Sequence, residues 1–100
     1  MKKRYLFLLL ISFFAFSTQA DEWRGQKIFK RSCALCHGND GEKHAMDQSK
    51  IINQMTQSEI IQALQDRKSG KIDGGGNRAK ARLSEQDMQD VAEFIEHLPK

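Results

Sequence analysis

Residues 31–41 read RSCALCHGNDG and place Cys33, Cys36 and His37 within five positions. These are the chain's two cysteines and one of its three histidines. Three chemistries use thiols at this spacing. A Cys33–Cys36 disulfide closes so small a loop that it adds little chain-entropy stabilisation. As a redox-active pair it wants a βαβ setting, and no alternating β-branched run flanks the motif. Zinc wants four ligands, commonly from two such pairs; here there is one pair, and His37 and His44 complete it only at an unusual spacing. The third chemistry is covalent attachment of haem, and it fits best. The two thiols add to the two vinyl groups of the porphyrin, and the histidine directly after the second cysteine binds the iron. One short helical turn must reach two vinyls and a metal at once, which the C-x-x-C-H spacing allows. The reading is one haem c, bound covalently by Cys33 and Cys36, with His37 as the proximal iron ligand.

The start of the chain sets the compartment. Lys2, Lys3 and Arg4 precede an apolar run from Tyr5 to Phe16, and Thr18 and Ala20 then offer small residues at the −3 and −1 positions. That is the layout of a secretory signal peptide, and its apolar core is too short for a comfortable membrane span. Cleavage is expected after Ala20. The division is therefore a leader at 1–20 and a single domain at 21–100. Lys2, Lys3 and Arg4 leave with the leader, which takes the 16 Lys+Arg to 13, against 13 Asp+Glu. The basic balance belongs to the precursor. No basic cluster with interleaved aromatics replaces it, so nucleic acid is not an expected partner. Nor is stable membrane insertion after cleavage. The expected location is the periplasm. A mature chain of about 80 residues seldom stabilises itself by packing alone and needs a staple; a haem ring supplies one.

The elements that must position the motif are helical. Residues 22–35 read as a helix with Ile28, Phe29 and Ser32 on one face and Gly25 one turn before Phe29, where another helix can cross closely. Gly38-Asn39-Asp40-Gly41 breaks the chain into a loop. Ser49 to Met55 reads as a short helical turn. Thr56-Gln57-Ser58-Glu59 is a capping box opening a helix to about Lys68 that buries Ile60, Ile61 and Leu64. Residues 69–82 read as a Gly-rich loop. Ser84-Glu85-Gln86-Asp87 caps a last helix whose stripe is Met88, Val91, Ala92, Ile95 and Leu98, flanked by Phe94. No strand pattern is visible, so the fold class is all-α.

The order is helix, C-x-x-C-H, loop, helix, Gly-rich loop, and a C-terminal helix carrying an aromatic. With Gly25 and Phe29, Cys33-Cys36-His37-Gly38, "SKII" at 49–52, "MTQSEIIQAL" at 55–64 and "LSEQDMQDVAEFI" at 83–95, the chain resembles the class I cytochromes c, most closely the small bacterial c-553-type proteins. The resemblance covers nearly all of residues 22–98. It implies three to four short helices wrapped around one covalent haem, a first and last helix crossing near Gly25 and Phe94, and a monomeric carrier of single electrons.

Two features depart from that family. Its members usually supply a second axial ligand from a methionine in the loop before the last helix; here no methionine lies between Met55 and Met88. The candidates for the distal position are Asn77, Lys71 or Lys80 from the loop, Met55 or Met46 from elsewhere, His44, or no side chain at all. Each has a simpler role: Asn77 as a turn residue, the lysines as solvated charge, Met55 as packing before a capping box, Met46 and His44 as exposed loop positions. The family also commonly has a proline after the motif whose carbonyl holds the proximal histidine's Nδ1–H. The one proline here is Pro99, so another carbonyl, in residues 42–50, is expected to serve.

The leading functional expectation is a periplasmic electron-transfer cytochrome that meets redox partner proteins through a small transient interface at the haem edge. The alternative is a haem protein with an open distal site that binds or senses small gaseous ligands. No distal acid/base pair is visible, so an enzyme is not expected. Lys27, Lys30, Lys43, Lys50, Lys68 and Lys71 read first as solvated surface, and second as candidates for a steering ring.

Overall fold

The structure, a computed structural model, describes residues 20–47 and 49–100. The expected leader lies outside the described residues apart from Ala20. All regular structure among the described residues is helical.

Helix α1 runs Glu22–Ser32. The Asp21 side chain caps it by accepting from the Arg24 N–H at 3.2 Å, and Lys30 and Arg31 in its last turn complement the helix dipole. The expected continuation to Leu35 is interrupted. Cys33 leaves helical geometry at φ −122°, ψ −42°, and a separate turn, α2, covers Ala34–His37. Helix α3 spans Gln57–Lys68 and α5 spans Glu85–Glu96. Both open on the capping boxes expected from sequence, Thr56 with Glu59 and Ser84 with Asp87. Short 3₁₀ turns at Ala45–Asp47 and Ile52–Gln54 lie in the connection between α2 and α3.

The segment 69–82 is not all loop. Asn77–Ala81 forms a helix of five residues, α4, entered through Gly76 in the left-handed region. Asn-Arg-Ala-Lys-Ala contains good helix formers, and the glycines before it supply the turn.

Helix α5 is the centre of the packing. It lies against α1, α3 and the Ile52–Gln54 turn, while α3 also carries α4. The buried core is Ile28 and Phe29 from α1, Ile60 and Leu64 from α3, Leu83, and Met88, Val91, Ala92 and Ile95 from α5. The Phe29 and Phe94 rings meet at 5.4 Å between centroids. Ser32, expected on the buried face of α1, is exposed. At Gly25 the contact between α1 and α5 leaves no room for a side chain: an added Cβ would overlap the Asp90 carbonyl and stand 3.0 Å from Phe94 Cβ. Among the described residues no helix is long and apolar enough to cross a membrane.

Candidate functional site

The motif sits where α1 ends. The Cys33 N–H still donates to the Phe29 carbonyl at 2.9 Å, so the first thiol is fixed to the last turn of a core helix. The Cys33 carbonyl then accepts from both the Cys36 N–H at 3.2 Å and the His37 N–H at 3.0 Å. One carbonyl thereby folds the next four residues into the α2 turn. Gly38 ends it at φ +87°, a conformation that costs other residues but not glycine. The turn presents Cys33 half-buried, Cys36 exposed and His37 half-buried, with Leu35 standing 97% exposed between them.

Burial pushes the Cys33 thiol up to about 11, against the opposing pull of the Lys80 ammonium. Cys33 is therefore a neutral thiol at physiological pH, not the lowered-pKa thiolate of a redox-active pair. Both cysteines are free. His37 is held below its ordinary value, first by burial and then by the positive charges of Lys80 and Arg67. A neutral imidazole has a lone pair to give a metal. Its Nδ1 is buried and has no hydrogen-bond partner among the described residues, so the carbonyl expected from residues 42–50 does not reach it. That segment is tied down otherwise: the Lys43 N–H donates to the His37 carbonyl at 2.8 Å.

These residues fit the group that the sequence implies. Two free thiols three residues apart and a neutral imidazole directly after the second are the donor set that covalent haem uses. Addition of a thiol across a vinyl group needs no oxidant, since sulfur and hydrogen both end on the product. Haem bound there supplies a one-electron iron couple. The chain's own contribution is a fixed turn, a neutral ligand and two nearby cations.

The distal candidates separate clearly. Lys80, half-buried on α4, is the one whose charge acts on Cys33 and His37; burial first and Arg67 second hold its own pKa down. Asn77 is occupied at both ends of its amide: Oδ1 accepts from Arg67 at 3.2 Å, and Nδ2 donates to the Ile72 carbonyl at 2.7 Å. His44 uses its Nδ1 on the Ser49 carbonyl and is exposed. Met55 and His44 line an open cleft with Lys50, Ile51, Gln54 and Glu59, and neither cysteine nor His37 lines it. Met46 is 74% exposed, yet its Sδ stands 2.9 Å from where a Cβ on Gly75 would lie, so it touches the Gly-rich segment. Lys71 is exposed.

Arg67 was not singled out from sequence. It lies three residues after Leu64 on α3 and so shares that helix's inward side. Its guanidinium fastens Asn77 and adds positive charge beside His37 and Lys80.

The profile of the family described as Cytochrome c matches residues 23–99. The chain is 41% identical over 70 residues to cytochrome c-553 of Helicobacter pylori strain 26695, covering 69% of this chain and 73% of that protein. It is 39% identical, at the same coverage, to cytochrome c-553 of Helicobacter pylori strain J99. No solved structure matches the chain. The helical fold, the thiol pair and the matched span together show that this chain belongs to the cytochrome c family, whose cofactor is haem c.

Proposed function

We propose that the chain is an exported monohaem c-type cytochrome that carries single electrons between redox partners in the periplasm. Its leader is removed after Ala20. One haem is attached through thioethers at Cys33 and Cys36, and His37 is the proximal iron ligand. The observation that carries this reading is the α2 turn, which groups two free thiols with a neutral, partly buried imidazole. Partner proteins meet the surface around Leu35, whose apolar side chain is almost wholly exposed beside the attachment site. Lys30, Lys43 and Lys71 are exposed around the fold. Lys68 donates to the Leu83 carbonyl and Lys27 lies 4.9 Å over the Trp23 ring, contacts with neutral groups that fix where these two charges sit.

A second reading, an open distal site that binds small gases, is favoured by one observation. In the segment before α5, Asn77 has both ends of its amide engaged, and no methionine lies between Met55 and Met88. Lys80 remains the side chain best placed to close the site. The absorption spectrum of the reduced, haem-loaded protein with and without CO separates the readings. An electron carrier with a held sixth ligand keeps its low-spin spectrum under CO. A spectrum that begins high-spin and shifts under CO replaces the carrier reading with ligand binding.

A further inference from the structure

Asp90 is the one charged side chain buried among the described residues, at 1% exposure, and it lies on α5 where that helix meets the start of α1. Its Oδ1 accepts from the backbone N–H of Asp21 at 2.8 Å and from Gln86 Nε2 at 2.8 Å. Its Oδ2 is buried without a hydrogen-bond partner. Arg24 Nε stands 3.7 Å from that oxygen, within ion-pair range but too far to donate a good hydrogen bond. A carboxylate out of water is costly unless it is paired and hydrogen-bonded. As it stands, the set is one charge short of a satisfied site.

The backbone nitrogen that already touches Asp90 belongs to the residue directly after the expected cleavage point. Hydrolysis of the Ala20–Asp21 peptide bond puts the hydroxyl of water on the Ala20 carbonyl carbon and its hydrogen on the Asp21 nitrogen. That nitrogen then takes up a solvent proton. An amide with one hydrogen becomes an ammonium with three, at the same place.

We propose that removal of the leader creates an ion pair between the new α-ammonium of Asp21 and the buried carboxylate of Asp90, fastening the start of α1 onto α5. The proposal rests on the cleavage reading given above. The pair joins the two helices that cross without room for a side chain at Gly25. The uncleaved chain has only the single amide hydrogen bond at this point. Processing at the membrane and completion of the α1–α5 pair are thereby one event, and the fold tightens only after export.

The charges around Asp90 are consistent with this. Arg24 on α1 is shared with Asp87, at 2.7 Å, so its charge is largely committed there. The carboxylate of Asp21 caps its own helix. Gln86 is neutral. A positive end at a helix N-terminus opposes the helix dipole, but here a buried carboxylate already in hydrogen-bond contact compensates.

The test uses exported, haem-loaded protein. Intact mass first gives the mature N-terminus; a start at any residue other than Asp21 overturns the proposal together with the cleavage reading. Thermal midpoints are then compared for the mature protein and for a form with one serine inserted between Ala20 and Asp21, each with and without Asp90→Asn. The insertion keeps the terminal charge but moves it by about 3.8 Å. Expected is a fall of about 5 °C or more on insertion, and a much smaller effect of Asp90→Asn in the inserted form than in the mature one. Additive effects with a correct Asp21 start overturn the ion pair alone. If Asp90→Asn does not fold, equal midpoints for the mature and inserted proteins are sufficient to overturn it.

Discussion

The backbone carbonyl of Asp90 occupies the space that a β-carbon on Gly25 would need. This contact sets how closely α1 approaches α5, and with it where α1 delivers Cys33. Gly25→Ala gains about 1 kcal/mol of helix propensity. It loses more, because the obstacle is backbone, and overpacking of this kind costs about 1–3 kcal/mol. The net expectation is a lower thermal midpoint with the haem still attached, read by thermal unfolding of the loaded protein.

Asp87 closes the second capping box and pairs with Arg24. Its pKa is lowered chiefly by the Ser84 N–H, with Arg24 adding to the effect. A carboxylate whose folded pKa lies below its unfolded value of about 3.9 contributes stability that is fully present above that value. The contribution is lost as pH falls through the folded pKa. Asp87→Ala is therefore expected to cost about 1 kcal/mol at neutral pH. The difference from wild type shrinks as the pH is lowered below about 4. Urea denaturation across that range measures it; a penalty independent of pH contradicts the assignment.

Lys80 places a positive charge beside His37 and Cys33. Removing a cation near the iron stabilises the oxidised, more positive state. Lys80→Gln is expected to lower the reduction potential, measured by redox titration. If Lys80, as its neutral amine, also supplies the distal ligand, the same variant acquires a CO-sensitive spectrum, whereas Asn77→Ala and His44→Ala leave the spectrum unchanged.

Nine residues make up the buried core among the described residues. That is little for a chain of this length. Blocking attachment with Cys33→Ala/Cys36→Ala is expected to leave a loosely packed chain that keeps part of its helix but loses a cooperative thermal transition. Far-UV circular dichroism during heating checks this; a sharp transition near that of the loaded protein contradicts it.

Much of this was legible in the sequence because it depends on local pattern. The capping boxes at Thr56 and Ser84 and the stripe of α5 follow from side chains three and four positions apart. Gly25 was readable as a crossing point because a small residue on an apolar helix face has few other uses. Helix α4 was hidden by the three glycines at 74–76, whose turn signal outweighed the helix formers behind them. The break at Cys33 was hidden because the apolar pattern runs on through Leu35, and nothing local marks the change of φ. Asp90 was not singled out for a different reason. Its partner at Asp21 lies 69 residues away, so only the packing of α1 on α5 reveals it. The positive charge beside His37 depends in the same way on how α3 and α4 bring Arg67 and Lys80 toward it.

Mass spectrometry of the exported protein in denaturing solvent tests whether Cys33 and Cys36 hold a haem covalently. Expected is a single species with one haem retained after unfolding, whose proteolytic fragment carrying the modification contains Cys33, Cys36 and His37. An unfolded chain that sheds its haem, or carries none and shows two free thiols, would contradict it.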